Sequence, residues 1–133
     1  MGKIEYVCPK CHGYLKVNKK IIFIVQKSDG KKGIILLNPE LGDYKRIFHE
    51  TFNVKEGEHL TFLCPICQSD LSAMEINKNL ARILMIDESG VEYKILFSDI
   101  IGEKCTYKIC KDEIEAFGDD SSAYMNYFGK GPQ

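Results

Sequence analysis

The chain has 133 residues, 44% of them hydrophobic and 28% charged, with a formal net charge of −1. This composition is typical of a folded protein of one domain and excludes the disordered and fibrous classes. The longest apolar runs, 21–25 and 34–37, are far shorter than the roughly 20 residues that a membrane-spanning helix needs. With no export signal before the first cysteine, we expect a cytoplasmic protein without a membrane segment.

The charges are unevenly distributed along the chain. Residues 1–37 carry eight Lys against two acids, a net charge of +6, whereas the rest of the chain has a net charge of −7. Such asymmetry is found where a basic face binds nucleic acid, and also where two parts of one domain attract each other. Both interpretations stay open at this point.

Two short cysteine motifs are near copies of each other. Cys8-Pro9-Lys10-Cys11 recurs 56 positions later as Cys64-Pro65-Ile66-Cys67. In both copies an aromatic residue precedes the first Cys by two positions, and a Leu follows the second Cys by four. Two tight turns of this kind supply the four thiolates of a tetrahedral zinc site. The sequence therefore predicts that Cys8, Cys11, Cys64 and Cys67 bind one Zn²⁺.

Strands are predicted between the two motifs. Residues 20–26 form a β-branched and aromatic run that is predicted to be a strand buried, or nearly buried, on both faces. Turn residues connect it to a second apolar strand at 33–37, which indicates a β-hairpin. Shorter strands are predicted over 44–49 and 59–63. The 52 residues between the motifs are therefore expected to form a sheet of their own.

A second hairpin is predicted after the second motif. Alternation over 91–97 and the turn before it favour pairing with 80–86, although the earlier segment also has some helical spacing. A further strand is predicted over 104–109. The acidic residues near 119–122 can cap a short helix that contains 124–128. Beyond the two cysteine motifs, no internal repeat is expected.

Other chemistries also fit these motifs. Two such turns hold iron in rubredoxin-like sites, but rubredoxin knuckles have Gly where this chain has His12 and Gln68. The first motif also satisfies the c-type haem pattern CxxCH, which the second motif lacks. A thioredoxin-type dithiol is disfavoured because no βαβ pattern surrounds either motif. Structural zinc is the preferred interpretation, and iron is the alternative.

By the cysteines and prolines of these motifs, the chain resembles the zinc-ribbon superfamily over about 30 residues. The resemblance implies knuckles on two β-hairpins and a closed, structural metal site. It implies no single function, because zinc ribbons occur in transcription factors, ribosomal proteins, topoisomerases and enzymes. The long separation of the two motifs departs from a simple ribbon.

The predicted fold class is mainly β, with zinc-ribbon knuckles joined to an antiparallel β-sheet and a short C-terminal helix. One domain is predicted over 1–117, followed by an acidic and aromatic tail over 118–133. No zinc-protease, catalytic-triad or phosphate-loop motif is present. We therefore predict a non-enzymatic zinc-binding module without a small-molecule substrate. Cys105 and Cys110 are expected to be ordinary strand or core thiols.

The partner class is left open between nucleic acid and protein. For nucleic acid, a basic face beside the metal is predicted, with Tyr14 and Phe23 available for base stacking. Its lysines are Lys10, Lys16, Lys19, Lys20, Lys27, Lys31 and Lys32. For protein, the aromatic tail over 124–128 or an exposed strand edge would bind another chain.

Overall fold

The computed structural model describes residues 4–128, with side chains described as far as Met125. The described chain is mainly β, as predicted. Its strands are β1 (Glu5–Val7), β2 (Lys16–Val17), β3 (Lys20–Gln26), β4 (Lys32–Leu37), β5 (Arg46–Phe48), β6 (Thr61–Leu63), β7 (Leu80–Ile86), β8 (Glu92–Ser98), β9 (Thr106–Cys110) and β10 (Glu113–Phe117). A 3₁₀ helix, Ser121–Phe128, follows the last strand. No helix in the described part of the chain is long and apolar enough to cross a membrane.

The strands form two five-stranded antiparallel sheets. Sheet A has the order β1-β7-β8-β9-β10, and sheet B has the order β2-β3-β4-β5, with β6 also pairing with β3. The predicted hairpins β3–β4 and β7–β8 are confirmed, as are the shorter strands β5, β6 and β9. The acidic segment after Lys111 contains a strand, β10, that was not predicted.

The main hydrophobic core lies between the two sheets. Phe23 of sheet B meets Phe62 and Phe97, with ring centroids 5.3 and 5.7 Å apart. Along β3 the burial alternates, because Phe23 and its inward neighbours are fully buried while Ile22 and Ile24 are only partly buried. The prediction that β3 is buried on both faces is therefore wrong, since only one face meets the other sheet.

A second, smaller core lies on the outer face of sheet A. It contains Leu80, Leu96, Cys105 and Tyr107, which are covered by Tyr124 of the 3₁₀ helix. The predicted short C-terminal helix is thus present as a 3₁₀ helix, and at Tyr124 it packs on the domain. The side chains at positions 127 and 128, which complete the predicted aromatic segment, lie outside the described residues.

The structure contains an internal repeat that the sequence analysis did not find. When 60 is added to the residue numbers, β3 corresponds to β7, β4 corresponds to β8 and β5 corresponds to β9. The turn glycines also correspond: Gly30 and Gly90 have φ of 92° and 84°, and Gly42 and Gly102 both have φ of 91°. The expectation of no further repeat is therefore wrong. The repeat is hard to detect in the sequence because the offset changes from 56 positions at the motifs to 60 at the strands, and few residues are identical at corresponding positions.

We call residues 5–48 the first unit and residues 61–110 the second unit. Each unit pairs its first strand with the sheet of the other. In sheet A, β1 pairs with β7 through Tyr6 and Met85, and in sheet B, β6 pairs with β3 through Phe62 and Val25. These two registers are equivalent, because Tyr6 corresponds to Phe62 by the offset of 56 positions and Val25 corresponds to Met85 by the offset of 60. The units are therefore related by an approximate two-fold arrangement, and the cysteine motifs follow the two exchanged strands.

Candidate metal centre

Each cysteine motif forms a tight turn at the end of an exchanged strand. In the first, a bridge joins Val7 to Tyr14, the Cys8 amide donates to the Gly13 carbonyl (3.0 Å), and the His12 amide donates to the Cys8 carbonyl (2.9 Å). Five residues thus form one closed knuckle. Its hydrogen bonds hold the backbone around the first cysteine of the pair.

The second knuckle repeats this pattern. A bridge joins Leu63 to Asp70, the Cys64 amide donates to the Ser69 carbonyl (3.0 Å), and the Gln68 amide donates to the Cys64 carbonyl (2.8 Å). Every one of these contacts lies 56 positions after its counterpart. The sequence similarity between the motifs therefore reflects the same backbone geometry.

The residue after the second cysteine adopts a left-handed backbone conformation in both knuckles. His12 has φ of 60° and Gln68 has φ of 62°, a region that costs a non-glycine residue about 1 to 2 kcal/mol. The knuckle geometry thus forms without the glycine found there in rubredoxins. The missing glycines therefore do not discriminate zinc from iron.

The four cysteine sulfurs converge between the knuckles. Cys8 Sγ lies 3.8 Å from Cys67 Sγ, Cys11 Sγ lies 3.8 Å from Cys64 Sγ, and all four lie within 4.8 Å of one another. Four Zn–S bonds of about 2.3 Å at tetrahedral angles place the sulfurs about 3.8 Å apart. The donor set and its spacing therefore fit a tetrahedral metal ion.

Backbone amides point at the sulfurs of both buried cysteines. The amides of Lys10 and Cys11 donate to Cys8 Sγ at 3.3 and 3.4 Å, and those of Ile66 and Cys67 donate to Cys64 Sγ at the same distances. Such bonds stabilise thiolates, which are the form that binds a metal ion. The two inner ligands therefore have equivalent environments.

The surroundings shift the thiol pKa of Cys8 and that of Cys67 in opposite directions. Burial raises the pKa of Cys8 to about 12. At the exposed end, the hydroxyl of Ser69, whose Oγ lies 3.2 Å from Cys67 Sγ, lowers the pKa of Cys67 to about 6. A metal ion bound here would replace the proton on both thiols, and its positive charge would offset the cost of a buried thiolate. Sequence reasoning did not identify Ser69, whose counterpart in the first knuckle, Gly13, has no hydroxyl.

The knuckles also contact each other directly. The Ile66 side chain of the second knuckle packs over Gly13 of the first, where an added Cβ would overlap the Ile66 methyl group and lie 3.3 Å from Cys11 Sγ. Gly13 thus allows the two turns to approach closely. The absence of a side chain at this position is part of the site geometry.

The predicted basic residues lie in several places. Lys10 is exposed on the first knuckle beside the cysteines. Lys19 and Lys31 are exposed in the turns at the two ends of β3, a seven-residue strand about 20 Å long. Lys20 and Lys32 stand beside them, at the first positions of β3 and β4.

Three lysines of this set contact the protein itself, and Lys20 donates to Asn38 Oδ1. Lys16 donates to the Ile4 carbonyl. Lys27 donates to the Asn53 carbonyl and lies 3.6 Å from Glu58 and 5.3 Å from the Phe52 ring centroid. Because these contacts hold them, Lys16 and Lys27 are less available to a partner than the exposed lysines of the turns.

The two predicted stacking residues differ in exposure. Tyr14 is 66% exposed on the first knuckle, whereas Phe23 is fully buried between the sheets. The prediction that Phe23 stacks on bases is therefore wrong, because its ring belongs to the main core.

The remaining cysteines lie apart from the metal ligands. Cys105 is buried in the outer core of sheet A, and Cys110 ends β9. Among the described residues, only the four motif cysteines form a group able to hold a metal ion. The expectation for Cys105, a core thiol, is thus confirmed, and Cys110 is a strand residue.

Comparison of the sequence with models of protein families found no match, and curated proteins and solved structures gave none either. The geometry of the four cysteines is therefore what supports a metal site in this chain.

Proposed function

We propose that the protein is a non-enzymatic binding module with a structural Zn²⁺ held by Cys8, Cys11, Cys64 and Cys67. One observation carries this proposal. The knuckle of each unit follows a strand that pairs in the sheet of the other unit, so a metal bound by both knuckles cross-links the two sheets. A metal at this position stabilises the arrangement of the whole fold.

Four thiolates favour a structural over a catalytic role for the metal. They complete a tetrahedral shell and leave no position for the water that catalytic zinc sites activate. Structural zinc contributes about 10 to 16 kcal/mol of binding free energy in zinc-finger peptides, which is coupled to folding. A metal that connects the two units would add part of its binding free energy to the stability of their arrangement, beside the core that they share.

A rubredoxin-like iron site is the second candidate. It is favoured by the five amide-to-sulfur hydrogen bonds of the two knuckles, including that from Gly13 to Cys11, since such bonds tune the potential of iron–sulfur centres. In that case the protein transfers electrons and shows a visible charge-transfer band. Zinc is preferred because a structural cross-link between the units explains the position of the site without an electron-transfer partner.

The binding role rests on the basic first unit. Residues 1–37 have a net charge of +6, and Lys10, Lys19, Lys31 and Lys32 are exposed. A surface of this kind attracts nucleic acid or an acidic protein.

The test begins with metal analysis of freshly purified native protein by mass spectrometry, together with its absorbance spectrum. One zinc per chain and no visible band are expected; stoichiometric iron with a visible band would replace the proposal by the electron-transfer alternative. Titration with single-stranded DNA, duplex DNA and RNA at low and high salt then examines nucleic acid. Salt-sensitive binding would assign that partner class, and its absence at low salt would leave an acidic protein as the proposed partner.

A further inference from the structure

The outer face of sheet B carries a continuous apolar patch. Cross-strand pairs place Ile22 beside Leu36, Ile24 beside Ile34, and Leu36 beside Ile47. We call these five residues the sheet B patch. Ile34 is 53% exposed and Ile47 is 51% exposed, although both belong to strands. Adjacent exposed apolar side chains of this kind are typical of interaction sites.

Part of the corresponding face of the second unit is covered. Under the shift of 60 positions, Leu36 corresponds to Leu96 and Ile47 corresponds to Tyr107, and both of these counterparts are fully buried. They are buried because Tyr124 of the C-terminal 3₁₀ helix packs over them. The positions of Leu36 and Ile47 therefore belong to a core in the second unit and to the surface in the first, whereas Lys94, which corresponds to Ile34, is exposed.

The segment that covers sheet A has a definite chemistry. It begins with two acids, and Asp120 accepts a hydrogen bond from the Lys104 amide at 2.8 Å. The Tyr107 hydroxyl donates to the Ser121 carbonyl, and the Tyr124 hydroxyl donates to Glu103. The outer face of sheet A is thus covered by a segment that begins with acidic residues and packs an aromatic side chain on the sheet.

Charge favours the same chemistry on sheet B. Lys20 and Lys32 lie on the strands of the sheet B patch with the same alternation as Ile22 and Ile34, so their side chains border it. Lys20 also donates to Asn38 Oδ1, whereas Lys32 is exposed. A second copy of the chain would bring a like-charged face against this one. Five side chains also present far less than the about 800 Å² per partner of a standard interface. A short acidic segment fits the patch better than a dimer.

We propose that the sheet B patch binds a short acidic segment of a partner protein, with an aromatic side chain seated between Leu36 and Ile47. The segment covers the first unit as residues 118–125 cover the second. This inference names the partner for the binding role proposed above and rests on that role, but it does not depend on which metal is bound.

The probe is a dye-labelled peptide with the sequence of residues 118–128, Gly-Asp-Asp-Ser-Ser-Ala-Tyr-Met-Asn-Tyr-Phe. It is titrated with the full metal-loaded chain, and its fluorescence anisotropy is followed at low salt. We expect saturable binding in the micromolar range, weakened at least about tenfold by Ile34→Glu or Ile47→Glu. Replacing the first Tyr of the peptide by Ala should have a similar effect. Both protein variants change exposed residues, so circular dichroism and metal content should stay unchanged.

Val91→Glu is the matched control, because Val91 is 40% exposed beside the corresponding hairpin of the second unit. It should bind the peptide as the wild type does. Binding that Ile34→Glu leaves intact would place the peptide elsewhere and overturn the inference. A dimer in sedimentation that Ile34→Glu dissociates would overturn it in favour of self-association.

No peptide binding at all would also overturn the inference. The proposed function has separate readouts, since zinc content and nucleic-acid titration do not involve the patch. Zinc-loaded protein that binds RNA but not the peptide would thus reject the sheet B inference and keep the binding module.

Discussion

The first and second units share a backbone plan but differ in what covers them. Both contribute a knuckle and an exchanged strand, and both present an inner face to the common core. Only the second unit has its outer face buried, under Tyr124, whereas Ile47 of the first is exposed. The fold therefore needs an inner apolar face and a knuckle from each unit, whereas the outer faces of the two units can differ.

The largest effect is expected where the units are most alike, at the metal ligands. Cys8→Ser and its counterpart Cys64→Ser each remove a buried sulfur that accepts two amide hydrogen bonds. We expect metal affinity to fall by more than about 100-fold, since changes to supporting residues alone cost 10- to 100-fold. Chelator competition measures the affinity, and thermal melting measures the accompanying loss of stability.

Cys110→Ser is the control, because Cys110 is a thiol outside the metal-binding group. It should keep full metal content and an unchanged melting temperature. Unequal losses for Cys8→Ser and Cys64→Ser would contradict the equivalence of the two knuckles.

The second prediction concerns the covered and uncovered outer faces. Tyr124→Ala removes the ring that buries Leu96 and Tyr107, and we expect unfolding free energy to fall by about 3 kcal/mol. Ile47→Ala, at the position on sheet B that corresponds to Tyr107, should cost less than about 0.5 kcal/mol because its side chain is half exposed. Urea denaturation of both variants measures the difference. Similar losses would show that the sheet B patch is already part of a core.

Much of the local structure was predictable from the sequence. The glycines at positions 30 and 90 and the apolar runs beside them indicate hairpins, and the two motifs indicate the four ligands. These features depend on neighbours in the chain. The apolar run of β3 did not reveal its one-sided burial, because a partly buried isoleucine at position 24 has the same sequence signal as a fully buried one.

The exchange of strands between the two units could not be predicted from the sequence. β1 has only three residues and pairs with β7 about 80 positions later, so no local pattern specifies the register. β10 also escaped prediction, because Glu113 and Glu115 made its segment resemble a solvated tail. The candidate metal site was predictable as a set of four cysteines, but its position between the two sheets followed only from the fold.

The third prediction uses a buried acid of the second unit. Asp99, which corresponds to Pro39 in the first unit, is fully buried, and neither carboxylate oxygen accepts a hydrogen bond from the described residues. His59 Nε2 lies 3.2 Å from its Oδ2, outside hydrogen-bond geometry. Burial, with smaller contributions from Asp70 and Glu103, raises the pKa of Asp99 to about 7.

Since the pKa in the unfolded chain is lower, about 3.9, the native state holds this proton to higher pH. Asp99 therefore lowers stability progressively as pH rises from about 4 to about 7, and by a constant amount above that. Asp99→Asn should stabilise the protein, and its advantage should grow by about 2 kcal/mol between about pH 5.5 and about pH 8. Urea denaturation at both pH values measures this, with the exposed Asp29→Asn as the control. A constant advantage would show that Asp99 is ionised throughout, paired with His59.

The smallest effect is expected at a single hydroxyl that distinguishes the exchanged strands. Tyr6 of β1 is buried, and its hydroxyl donates to the Pro39 carbonyl, whereas its counterpart in β6 is Phe62, which has no such group. Tyr6→Phe should lower the unfolding free energy by about 1 kcal/mol, the net value of one hydrogen bond, and leave metal affinity unchanged. Denaturation and chelator competition on the same preparation measure both quantities. A lower metal affinity would mean that this hydroxyl helps to position the first knuckle. An unchanged stability would mean that exchange of β1 rests on its backbone pairing and ring packing alone, as it does for β6.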